Sequence, residues 1–210
     1  SSSAMGWICI VFMVLGSISF RVHHQGWRNK RISAYWGDTE TRCFLKILVV
    51  LVWLVTIVHL VHPIALTGVW SQQVLQWVSM LTTTGFTQLD VSSWSYALLL
   101  PMIMLCLMGG CSGSTTGGIH INRFFLMYQE LRCSLLQLLH PRAVLGVQVG
   151  EDERSATVIQ AMRGFLALWL LTLILGLWTL LLLGLPLAEA WTALVACLSN
   201  TGAAVGQCAC

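Results

Sequence analysis

The stretch "MLTTTGFTQLD" (80–90) places three consecutive threonines and a glycine directly after an apolar run. The surrounding chain of 210 residues is 57% hydrophobic and 9% charged, whereas an ordinary soluble domain has about 25% charged residues. Ten tryptophans and long leucine runs point the same way, to a bilayer as solvent. A cluster of uncharged polar groups at that depth needs a purpose.

Charge placement gives the orientation. The net charge is +3. Arg21, Arg28, Lys30, Arg31, Arg42 and Lys46 form one basic window, and Arg123, Arg132, Arg142, Arg154 and Arg163 form a second. The connections near 62–70, 86–94 and 184–189 carry no Lys or Arg, so the basic windows are expected in the cytoplasm and the bare connections outside. Neither window is dense or interleaved with aromatics, which argues against nucleic acid as a partner. The cysteines are scattered through apolar runs without a metal-binding spacing, and they read as small hydrophobes. The terminal Cys208 and Cys210 stay unassigned.

Working outward, residues 5–20 form an uncharged run expected to make most of a span ending at Arg21, and 43–61 a second span closed by His62-Pro63. Residues 69–80 are too short and polar to cross about 30 Å of hydrocarbon. Trp70 and Trp77 suit an interfacial, re-entrant helix there. After the threonines, 94–108 head inward, "GGCSGSTTGG" (109–118) interrupts, and helix resumes over 119–139. A span over 164–183 precedes a short helix at 188–198 and "SNTGAAVG".

Span, short helix and T-G turn thus occur twice. Thr84 aligns with Thr201, Gly85 with Gly202, Leu81 with Leu198, Val78 with Val195 and Thr82 with Ser199, a parallel repeat at a spacing of about 117 residues. Residues 5–20, with "FMVLGS", resemble the inward helix "LCLMGG". The expected organisation is an all-α integral membrane protein of repeated span–pore helix–span units. Residues 1–22 would close a preceding unit, 23–42 form a cytoplasmic linker, 43–139 a complete unit with a broken closing helix, 140–163 a second cytoplasmic linker, and 164–210 a last unit stopping after its turn. On this reading the sequence is expected to be a fragment of a longer protein.

Read alone, TTTG is a helix C-cap with a polar turn. Its repetition after a second short re-entrant helix favours another role. Irregular backbone at membrane depth persists where protein buries it or it lines a cavity. Backbone carbonyls presented there replace a cation's hydration shell without fixed charge, so the ion can also leave. Threonine adds an oxygen and favours extended backbone, and glycine permits positive φ or a close approach.

"SMLTTTGF" (79–86), "GGCSGSTTGGI" (109–119) followed by Arg123, and "CLSNTGAAVG" (197–206) resemble the TrkH/KtrB potassium-uptake proteins, with "LGSISF" and "DTETR" in the first quarter. The resemblance implies four pore-loop units, pseudo-fourfold around one ion path, in a multi-pass protein of the inner (plasma) membrane surrounded by membrane lipid. It implies K⁺ as the transported ion at Thr83, Thr84, Gly85 and Phe86 in one filter turn, and at Asn200, Thr201, Gly202 and Ala203 in the other. No bound cofactor and no enzymatic activity are expected. The gate would be the loop of five glycines (Gly109, Gly110, Gly113, Gly117, Gly118), four hydroxyl residues (Ser112, Ser114, Thr115, Thr116) and Cys111. Such a composition does not hold a rigid helix, yet it satisfies its own backbone groups. A homodimer and a cytoplasmic nucleotide-binding regulatory subunit of the TrkA/KtrA type, docked on 123–163, are implied partners. His120 stands where the family's motif continues with Lys, and "QCAC" replaces the usual continuation after the last filter.

Two alternatives accompany this reading. Two units do not close a fourfold pore, so a non-conducting fragment is one. "GCSG" (110–113) resembles the nucleophile motif of rhomboid intramembrane proteases, but that chemistry needs a histidine on a neighbouring span to take the proton of Ser112. His120 and His140 are not so placed. Asp90 and Glu189, expected on the outer face, could concentrate cations there.

Overall fold

A computed structural model describes residues 3–30, 33–61, 69–87, 96–139, 148–149, 152–153 and 156–202. Its helices are α1 (Ser3–Gly16), α2 (Phe20–Asn29), α3 (Ser33–Gly37), α4 (Thr39–Val61), α5 (Trp70–Leu81), α6 (Tyr96–Met108), α7 (Ile121–Leu139), α8 (Ala156–Leu182) and α9 (Leu187–Leu198). A two-residue antiparallel ladder, β1 (Gln148–Val149) with β2 (Asp152–Glu153), lies between α7 and α8. Ala203, Asp90, His62, His140, Cys208 and Cys210 fall outside the described residues.

Composition sorts the helices. Among the described residues, Thr39–Leu60 and Ile159–Leu182 are long and apolar enough to cross a membrane. Val49, Val50 and Trp53 of α4, and Leu171, Ile174, Leu175 and Trp178 of α8, lie exposed, as lipid-facing side chains would. α4 begins cleanly because the Asp38 carboxylate accepts the Thr41 amide at 2.8 Å and the Thr41 hydroxyl at 2.7 Å, a side-chain cap for the first turn.

The short helix α5 is the hub. It packs against α1, α4 and α6, and α6 also packs against α9, which rests on α8. Every residue from Gln73 to Leu81 is buried. Trp77, expected at an interface, is 2% exposed. Enclosure by three neighbouring helices overrides the interfacial preference of an isolated tryptophan. Trp70 does mark the helix start: its ring lies 5.5 Å from that of Trp7, and its indole N–H donates to the Thr56 hydroxyl at 3.2 Å. Between apolar helices in lipid the hydrophobic term is small, so close packing and such polar ties fix the arrangement.

One apolar run departs from its expected course. Residues 5–20 do not form a single helix to Arg21. α1 stops at Gly16, and α2 leaves at 92° after a short break. Within 23–42, α2, α3 and the start of α4 are helical: α2 buries Val22, and its His23 ring bonds the Tyr35 hydroxyl at 3.0 Å and the Leu15 carbonyl at 2.9 Å. α8 starts at Ala156, and its helix runs through a charged end before the apolar span expected over 164–183. There Arg163 pairs with Glu130 of α7.

Candidate ion site between two threonine-glycine turns

α5 and α9 end in the same way. The Thr82 amide donates to Val78 O (2.8 Å), Thr83 to Met80 O (3.2 Å) and Thr84 to Ser79 O (2.9 Å). At the shifted positions Ser199 donates to Val195 O (2.9 Å), Asn200 to Cys197 O (3.2 Å) and Thr201 to Ala196 O (2.9 Å). Thr83 and Asn200 are left-handed, with φ of 52° and 55°, and Gly85 and Gly202 follow at 79° and 69°. Each is a Schellman cap, which satisfies the last helix carbonyls and turns the chain sharply away. The capping reading and the repeat reading therefore hold together: the cap aims the segment beyond it. Asparagine tolerates the left-handed region, whereas a β-branched threonine is strained there.

The two turns meet. A Cβ built on Gly85 would fall 1.8 Å from the Thr201 carbonyl oxygen, so no residue but glycine permits this approach. Among the described residues no backbone amide donates to the carbonyls of Thr83, Thr84, Gly85, Phe86, Asn200, Thr201 or Gly202. Residues 84–87 and 201–202, just beyond the caps, carry no ionisable side chain. The threonine hydroxyls are held locally, Thr82 Oγ1 2.8 Å from Thr84 Oγ1 and Thr201 Oγ1 donating to Ala196 O at 3.2 Å. What remains is a set of carbonyl oxygens on two adjoining turns that receive no backbone amide among the described residues, the donor type that suits a dehydrated monovalent cation.

The glycine-rich loop sits against both turns. The Gly117 amide donates to Thr83 Oγ1 at 2.8 Å, and this bond holds the strained Thr83 in place. Gly117 also lies against the second turn, where a Cβ would come within 2.1 Å of the Ser199 carbonyl. On its other side the loop pairs with the α1–α2 break. Cys111 N donates to Ser17 O (3.0 Å), Thr115 N to Gly16 O (3.2 Å), and Phe20 N to Gly113 O (3.0 Å). Inside the loop, Thr116 Oγ1 accepts the Gly110 amide (3.1 Å) and Ser114 Oγ donates to Cys111 O (2.6 Å). Arg123, just beyond the loop, donates to Ile119 O at 2.9 Å and stacks 3.8 Å above the Phe165 ring of α8.

Two participants lie in stretches, "LGSISF" and "DTETR", that the sequence reading gave no role at the site. One is the Gly16–Ser19 break, whose carbonyls receive the loop. The other is Glu40, whose carboxylate accepts the Ser112 amide. An acidic residue in the first turn of an otherwise apolar span was the available signal for Glu40. For the protease alternative, no histidine among the described residues hydrogen-bonds the Ser112 hydroxyl. Glu189, in the first turn of α9, is remote in sequence from its own turn by the length of that helix.

The sequence model of the TrkH family, described as "Cation transport protein", matches residues 2–210. The Trk system potassium uptake protein TrkH of Halomonas elongata is 31% identical over 207 residues, covering 98% of this chain and 43% of that protein. Its Vibrio parahaemolyticus counterpart is 32% identical over 215 residues, covering 99% and 44%. The crystal structure of the potassium transporter TrkH from Vibrio parahaemolyticus superposes with a TM-score of 0.90 at 30% identity, over 100% of this chain and 46% of that one. The chain thus spans less than half the length of these relatives. With a match along nearly its whole length and paired T-G turns on an all-helical frame, the chain belongs to the TrkH family of cation transport proteins.

Proposed function

We infer that this chain supplies two pore-loop units of a potassium-uptake pathway in the inner (plasma) membrane. Thr83, Thr84, Gly85 and Phe86 on one turn, and Asn200, Thr201, Gly202 and Ala203 on the other, contribute oxygens to the ion. The observation that carries this reading is the meeting of two identically capped turns, Gly85 against the Thr201 carbonyl, with no backbone amide among the described residues donating to their outgoing carbonyls. Transport is passive or gradient-coupled conduction, and no catalytic step is assigned to any residue. The loop Gly109–Gly118 is the gate: it is bonded to Thr83 and packed on Ser199, directly beside the turns it would block. A homodimer and a cytoplasmic nucleotide-binding regulatory subunit belong to the same reading, supported by the family resemblance and by relatives named as components of a Trk system.

The test is a chimera in which this chain replaces the segment it aligns with in the Vibrio parahaemolyticus TrkH, expressed in cells without their own potassium uptake. Restored growth at low potassium is expected, and deleting 110–116 should raise the flux further. A chimera that reaches the membrane in normal amounts yet takes up no potassium overturns the proposal.

A further inference from the structure

A carboxylate at the mouth of an apolar span is unfavourable unless something engages it. Glu40 stands in the first turn of α4, half-buried. Its carboxylate accepts the Ser112 amide inside the glycine-rich loop. Arg21 and Arg123 approach Glu40 with opposite charge and Asp38 with like charge. The base is itself fixed, because Asp38 caps Thr41 and pairs with Arg21 at 3.5 Å.

We propose that Glu40 is a clasp: a positioning residue that holds the loop in its seated place by gripping the loop at the Ser112 amide. Removing the grip lets the loop leave the α1–α2 break more often, without altering either T-G turn. The consequence for conduction rests on the gating role proposed above, but the clasp itself does not.

Native Cys111 reports on this directly. It is fully buried, and its amide is bonded to Ser17 of the break, so its thiol reacts with a charged methanethiosulfonate only when the loop departs. Labelling of the full chain in membranes, read peptide by peptide, gives the rate. Cys106 in α6, 5% exposed, is the control for general loosening. Glu40→Ala should raise the Cys111 rate by roughly tenfold to a hundredfold, the factor carried by hydrogen bonds to a charged group, with Cys106 unchanged. Glu40→Gln keeps an acceptor oxygen without the charge and should raise it by about threefold to tenfold. Rates at Cys111 within about twofold of the parent in both variants overturn the clasp, taking the lower limit expected for a neutral bond. So does a parallel rise at Cys106 in both. A chimera without potassium uptake would overturn the proposed function and leave these rates untouched.

Discussion

Gly85→Ala tests the closest approach between the two turns. The added Cβ would lie 1.8 Å from the Thr201 carbonyl oxygen, against 3.4 Å for ordinary contact, so one turn must retreat by about 1.6 Å. The obstacle is backbone, which has no rotamer to yield. Two costs combine: an L-residue at φ of +79° costs about 1–2 kcal/mol, and overpacking typically adds about 1–3 kcal/mol. Gly184→Ala separates them, since Gly184 has φ of +85° and nothing among the described residues within 4 Å of a built Cβ. Gly85→Ala should therefore be less stable than Gly184→Ala by about 1–3 kcal/mol, or roughly 2 to 12 °C in thermal midpoint for a chain of this size. Thermal unfolding of the purified protein in detergent reads that difference. In the chimera the same variant displaces the Thr201 oxygen and should lower the potassium-to-sodium flux ratio, while Gly184→Ala leaves it unchanged. Equal midpoints for the two variants, with equal flux ratios, would show that the turns do not meet as described.

Two further outcomes follow from the loop's anchors. Gly16→Cys with Thr115→Cys places sulfurs where a Cβ at 16 lies 3.3 Å from Thr115 Oγ1, within disulfide reach. Mild oxidation should consume both thiols and depress flux through the chimera until reductant is added, and two persistent free thiols would argue against the pairing. Thr83→Val removes the acceptor for the Gly117 amide and should cost about 1–3 kcal/mol, whereas Thr83→Ser restores it; equal thermal midpoints for the two would count against that bond.

The legible parts of this molecule are the local ones. The short helices expected at 69–80 and 188–198 occur as Trp70–Leu81 and Leu187–Leu198, because the end signals are encoded nearby: a tryptophan or proline at entry, a polar T-G turn at exit. The repeat was legible because each copy carries its own cap, and the backbone bonds of the two caps match one for one. The 5–20 run misled for the converse reason. Hydropathy sees uninterrupted apolar side chains there, but the break at Gly16–Ser19 is held by amides of residues 111 and 115, far along the chain. Trp77 likewise reads as interfacial until three helices surround it.

Sequence alone determined the bilayer as solvent, the two units and the uncharged oxygen-rich turns, since composition, charge placement and capping residues act within a few positions of themselves. Tertiary structure decided that Gly85 touches Thr201, that the glycine-rich loop bonds Thr83 on one side and the α1–α2 break on the other, and that Glu40 reaches Ser112. Each of those contacts joins backbone groups distant along the chain. A backbone amide or carbonyl is the same in every residue, so the sequence carries no mark of which one it will meet.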